Sequence, residues 1–96
     1  MPNRLLKKRN RPASPSLLKK FIAEKLLFSE KGFQYGNDVS FLAEGIIDSI
    51  GVMELVSYVG DTFNITVDPQ EVVPENFDSV SRLVDYVQRK RSVALV

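Results

Sequence analysis

The hydroxyl of Ser49, preceded by the carboxylate of Asp48, is the side-chain pair in this chain best suited to chemistry. It lies in Gly45-Ile46-Ile47-Asp48-Ser49-Ile50, where a glycine-marked loop gives way to an amphipathic helix. A serine in the first turn of a helix faces backbone N–H groups that have no internal partner. The helix dipole also favours negative charge there. A phosphodiester grown on Ser49 is therefore supported by its surroundings. Asp48 can help bind the magnesium that accompanies a pyrophosphate-containing donor, because carboxylates are natural magnesium ligands. Asp and Ser are also the ordinary helix-capping residues, and a lone pair of them before an apolar helix is most often only a cap. The neighbouring elements must decide between the two readings.

The composition narrows the chemistry further. Ninety-six residues, 44% hydrophobic, make one small domain with a modest core. The chain has no cysteine and no histidine. Disulfides, Cys/His zinc sites, thiol nucleophiles and Ser-His-Asp triads are thereby excluded. Any thiol chemistry needs a sulfur brought by a cofactor. The net charge of +1 conceals an asymmetry. Residues 1–20 hold seven bases and no acid, while residues 21–96 hold six bases and all twelve acids. A basic arm thus precedes an acidic body, and an acidic surface favours basic partner patches over nucleic acid.

The pair needs elements to position it. Residues 1–13 read as a solvated, disordered basic arm, with organelle targeting as a second reading. Ser14-Pro15-Ser16 is a helix-start signal. It predicts a first helix over about Ser16–Phe28 with Leu17, Leu18, Phe21, Ile22 and Phe28 as its apolar stripe. Lys25 interrupts that stripe. A long connection over 29–48 follows. Its apolar Phe33, Tyr35, Val39, Phe41 and Leu42 predict that it packs across the bundle, with one helical turn from Ser40 to about Gly45.

The second helix, about Ser49–Phe63, is the clearest. At 100° per residue, Val52, Leu55, Val56, Val59 and Phe63 share a core stripe. Ile50, Met53, Glu54, Ser57 and Asp61 face the opposite way. Scattered apolar residues on a surface are normal, but two beside acids and next to Asp48-Ser49 read as a partner-docking face. Asn64 is expected to end this helix, and Ile65-Thr66-Val67 to run on as an extended connector. Pro74 suits the first turn of a short third helix with Phe77 inward. Asp78 is expected to cap a fourth helix, about Ser79–Arg91, burying Val80, Leu83, Val84 and Val87. Arg89, Lys90 and Arg91 then fall in its last turn, against the dipole. Residues 92–96 read as a short tail.

The stretch Phe41-Leu42-Ala43-Glu44-Gly45-Ile46-Ile47-Asp48-Ser49-Ile50 resembles the attachment motif of the acyl carrier and peptidyl carrier protein family. Val52 to Phe63 resembles that family's recognition helix. Pro74-Glu75-Asn76-Phe77-Asp78-Ser79-Val80 resembles its third-helix region in amino-acid-activating and specialised acyl pathways. The resemblance implies an all-α four-helix bundle over 14–91 with a long first loop. It implies 4′-phosphopantetheine on Ser49, installed from coenzyme A by a phosphopantetheinyl transferase, with Asp48 as its partner in the motif. It further implies docking through Ile50, Met53 and Glu54, an acyl or aminoacyl ligase, and a downstream transferase or synthase.

Fatty-acid-synthesis carriers usually have an acid where Gly51 stands, and are more densely acidic than Gly60-Asp61 allows. Those departures favour a dedicated pathway. The expected product is a non-enzymatic carrier, monomeric and cytoplasmic, without resident metal. The alternative is a small helical interaction module in which Asp48-Ser49 is only a cap. A basic-arm nucleic-acid binder fits less well, since no aromatic interleaves the charges. No convergent catalytic pair of carboxylates, lysines or tyrosines is apparent.

Overall fold

Ser14 starts the first helix, α1, by accepting the Leu17 N–H on its hydroxyl at 3.2 Å, with Pro15 as first helical residue. A computed structural model describes residues 12–95, and the side chains of 12–91. The rest of the basic arm and Val96 lie outside the described residues. The regular part of α1 is Pro15–Phe21. It then widens over Ile22–Leu26 into a turn in which the Leu27 N–H reaches back five residues to the Ile22 carbonyl, at 2.9 Å.

That wide turn corrects the predicted helix over Ser16–Phe28. An inserted residue rotates everything after it by about 100° on the helix. Leu18 and Ile22 are in the core and Leu17 and Phe21 are half-buried, but Phe28 has left the stripe. Its backbone is left-handed, with φ +52°, and its side chain is 82% exposed. Lys25 is exposed as well.

The loop over 29–48 is docked, as its apolar content predicts. Phe41 is buried, and Phe33 meets it edge to face with ring centroids 6.3 Å apart. Val39 packs beside them, whereas Tyr35 and Leu42 stay on the surface. The turn from Ser40 forms, closed by the Ile46 N–H on the Phe41 carbonyl at 2.8 Å. It stops at Gly45, whose φ of +65° suits glycine. Ile46 and Ile47 then drop into the core, immediately ahead of the second helix.

That helix, α2, spans Ser49–Phe63. Leu55, Val59 and Phe63 are buried, and Val52 and Val56 half-buried. Asn64 ends it in the left-handed conformation, φ +55°. Ile65–Val67 is an extended connector, followed by a single tight turn at Pro69–Glu71. The short α3, Pro74–Phe77, buries Phe77. The last helix, α4, spans Val80–Leu95 and buries Val80, Leu83 and Val87, with Val84 half-buried. Among the described residues the architecture is all-α, with four α-helices and no strand.

Two expectations for α4 are corrected. Asp78 does not cap it. The Ser79 hydroxyl accepts the Arg82 N–H at 3.1 Å, and the Asp78 carboxylate turns to the loop instead. Nor do Arg89, Lys90 and Arg91 sit in the last turn, because the helix runs on to Leu95. Arg89 pairs with Asp85 at 2.8 Å and Lys90 with Glu71 at 2.9 Å. The Arg91 guanidinium lies 6.0 Å from the Phe63 ring centre.

Glu71 fastens the connector to α4. One of its oxygens accepts the Lys90 ammonium at 2.9 Å, the Tyr86 hydroxyl at 2.9 Å and the Asp68 N–H at 3.2 Å. Lys90 is the largest influence holding the Glu71 carboxyl below the usual range; the hydrogen bonds from Tyr86 and Asp68 act the same way, against some desolvation. Burial pushes the Tyr86 phenol up, and Glu71 pushes it further, so it remains a neutral donor. A carboxyl with a depressed folded-state pKa stabilises fully above its unfolded value and loses that contribution as pH falls through the folded one. Glu71→Gln should therefore lose no more than about 1 kcal/mol at neutral pH, the pair being part-exposed. Its melting temperature should also fall less than that of the wild type between pH 7 and pH 3, measured by thermal unfolding across that range.

Candidate functional site

The start of α2 divides its duties between two adjacent residues. Asp48 is the cap: its Oδ1 accepts the Gly51 N–H at 2.8 Å, and its carbonyl accepts the Val52 N–H at 2.9 Å. Ser49 is the first helical residue, exposed, and its hydroxyl has no hydrogen-bond partner among the described residues. The second Asp48 oxygen is likewise without a hydrogen bond. The N–H groups of Ser49 and Ile50 precede the first helical hydrogen bond and are donors of the kind that bind anions at helix starts. The hydroxyl is thus uncommitted, accessible and in a positive backbone field.

The site is fixed from behind by tertiary bonds. Asp78, between α3 and α4, accepts the Ser40 hydroxyl and, at 2.9 Å, the Leu42 N–H. Its carbonyl accepts the Phe41 N–H at 2.8 Å. The Ser81 N–H donates to the Asn37 carbonyl at 2.9 Å. These bonds hold the loop that delivers Ile46, Ile47 and Asp48 to the head of α2.

Two clefts flank the serine. One, of about 290 Å³, is lined by Ser49 with Leu42, Met53, Val72, Val73 and Phe77 among others, and is mainly apolar. The second, of about 310 Å³, includes Phe28, Ile47, Asp48, Ile50 and Glu54. Ile50 and Met53 are 73% and 63% exposed, and Glu54, Ser57 and Asp61 are exposed with them. All five residues expected on the outward face of α2 lie there.

Several residues at the site escaped the sequence reading. Val72 and Val73 wall the first cleft from an irregular segment that carries no periodic signal. The only hint is the Pro74 that follows and starts α3. Asp78 was read through its local position before a helix, which conceals partners far along the chain. Phe28 was placed in the core by its spacing.

Residues 16–87 match the family described as the phosphopantetheine attachment site. The chain belongs to that carrier family. It is 34% identical to a D-alanyl carrier protein from Abiotrophia defectiva over 58 residues, 60% of this chain and 72% of the relative. It is also 34% identical over 74 residues to an acyl carrier protein from Buchnera aphidicola subsp. Acyrthosiphon pisum (strain Tuc7), covering 76% of this chain and 86% of the relative. No solved structure gives a significant match.

The protein is accordingly a non-catalytic carrier with a covalently attached 4′-phosphopantetheine, tethering acyl or aminoacyl groups. It interacts with a phosphopantetheinyl transferase and with acyl-handling enzymes. Among the described residues no helix is long and apolar enough to cross a membrane. The bound group supplies the thiol that a cysteine-free chain lacks. An uncommitted hydroxyl, free backbone N–H groups and adjacent clefts all fit such a group.

Gly51 has a steric reason to be glycine. A Cβ there would stand 2.6 Å from Ile47 Cγ2 and 3.4 Å from Asp48 Oδ1. Ile47 is buried and has little room to move. Replacing glycine by alanine inside a helix normally gains about 1 kcal/mol. Gly51→Ala should lose that gain to overpacking and lower the melting temperature. Gly60→Ala, whose added carbon meets only the Ile65 carbonyl oxygen at 3.4 Å, should hold or raise it in the same assay.

Proposed function

We propose that Ser49 carries the 4′-phosphopantetheine, and that the protein serves a dedicated acyl or aminoacyl pathway with its own ligase. The observation that carries this reading is the split between Asp48 and Ser49. Asp48 takes over the capping duty at Oδ1, which leaves the Ser49 hydroxyl free at an exposed helix start.

In the transfer, the Ser49 oxygen bonds to the phosphorus bearing pantetheine and gives up its proton. The pyrophosphate bond of coenzyme A breaks, and adenosine 3′,5′-bisphosphate leaves. The oxygen of Asp48 that makes no hydrogen bond would be a ligand for the magnesium that accompanies this donor. Among the described residues no group of three or more acids gathers to hold a resident ion.

Ile50 and Met53 supply apolar contact to partners, and Glu54 and Asp61 steer basic surfaces toward it, with Ser57 between them. Tethering raises the local concentration of the cargo at successive enzymes. A ligase loads the carrier and a downstream transferase or synthase unloads it. The relative named D-alanyl carrier protein supports a dedicated carrier, and Gly51 stands where fatty-acid-synthesis carriers usually have an acid. We place the protein in the cytoplasm as a monomer.

Peptide-level mass spectrometry after incubation with coenzyme A, magnesium and a broad-specificity phosphopantetheinyl transferase tests the assignment. The added mass should fall on the peptide containing Ser49. Its appearance at Ser40, Ser57, Ser79 or Ser81 would refute it.

A further inference from the structure

Phe28 is the residue whose placement the packing of the bundle does not explain. It is 82% exposed and holds a left-handed backbone, φ +52°. For a bulky side chain that conformation is costly, and glycine is the usual occupant after a helix. The wide turn over Ile22–Leu26 brings Phe28 there. The Ser29 N–H then returns six residues to the Ala23 carbonyl at 2.9 Å, closing the helix end around Phe28. Wide turns in helices and strained backbone both concentrate at functional sites.

Phe28 does not stand alone on that surface. It shares the cleft of about 310 Å³ with Ile50, itself 73% exposed, and with the buried Ile47. Asp48, Glu54 and Lys25 also line it. Among the described residues, no ion pair joins Lys25 to either carboxylate. The cleft therefore offers two exposed apolar side chains with two carboxylates against one ammonium. Its complement is an apolar side chain flanked by a cationic group, and exposed aromatics are enriched in the cores of protein interfaces.

Which enzyme fills it follows from where it lies. Asp48, Ile50 and Gly51 line this cleft and flank Ser49 in the chain. Enzymes that act on the far end of the arm can stand away from the serine. The enzyme that makes the bond to Ser49 must close on its immediate neighbours.

We propose that Phe28 and Ile50 form an apolar docking cleft for the phosphopantetheinyl transferase, which seats an apolar side chain there with a cationic group toward Asp48 and Glu54. This rests on the reading of Ser49 as the attachment residue. It assigns a function to Phe28, outside the motif and outside α2.

The test is steady-state modification of the apo protein by the transferase, with coenzyme A and magnesium, for wild type, Phe28→Gly and Phe28→Leu. Glycine suits the backbone at this position, so Phe28→Gly should keep or raise the melting temperature. Its kcat/KM for modification should nevertheless fall about tenfold, mainly through KM, as for loss of an interface hot spot. Phe28→Leu, which keeps an apolar side chain, should retain most of the wild-type value. Modification of Phe28→Gly at the wild-type rate would overturn the proposal. So would a defect confined to loading by an acyl-handling enzyme, which would give the cleft to that partner instead. Modification persisting in Ser49→Ala would overturn the Ser49 reading and this proposal with it. Wild type modified at Ser49 beside an unaffected Phe28→Gly overturns this proposal alone.

Discussion

The carboxylate of Asp78 holds the loop ahead of Ser49 against the bundle, and the geometry of the site depends on it. It accepts the Ser40 hydroxyl and the Leu42 N–H, while the Asp78 carbonyl accepts the Phe41 N–H. Hydrogen bonds to a charged acceptor are stronger than neutral ones, though solvent screens the exposed bond to Leu42. They secure Phe41 in the core and start a turn that ends at Gly45. From there Ile46 and Ile47 insert as a pair, and Asp48 arrives where it can cap α2. A long loop freed from that anchor would recover its conformational entropy, and Ser49 would lose its fixed setting.

The same arrangement explains how a protein without cysteine or histidine takes part in thioester chemistry. The chain need only supply a hydroxyl, a favourable field and a surface for other enzymes to grip. α2 provides all three. Its inner stripe of Leu55, Val59 and Phe63 anchors it, which leaves Ile50, Met53 and Glu54 exposed on the face proposed for partners. The apolar cleft beside Ser49 is walled on one side by Val72 and Val73. Those two residues follow Glu71, whose bonds to Tyr86 and Lys90 tie the connector to α4. Both sides of the serine are thus braced, by Asp78 at the junction of α3 and α4 and by Glu71, which ties the connector to α4.

Much of this was legible in the sequence wherever one helix carries the information. The bounds of α2, its two faces and the end at Asn64 follow from helical period and end signals alone, as do Ser14 and Pro74 as starts. What stayed hidden depends on bonds between distant residues. Asp78 and Ser79 are both good caps by local rules, and only the loop's need for a carboxylate decides that Ser79 takes the role. The wide turn in α1 shows in the apolar stripe only as the break at Lys25, so Phe28 still reads as core by spacing while the extra residue turns it outward. Glu71 and Tyr86 look unremarkable until the connector folds onto α4. Arg89–Arg91 read as a helix end because nothing in their pattern shows α4 continuing to Leu95.

The intact mass of wild type and Ser49→Ala, each treated with coenzyme A, magnesium and transferase, tests the central claim most directly. Because Asp48 carries the cap, Ser49→Ala should stay folded with little loss of stability. Wild type should gain the mass of one phosphopantetheine and the variant none. A folded Ser49→Ala that gains the same mass, or a wild type that gains none while a known carrier is modified in parallel, would contradict it.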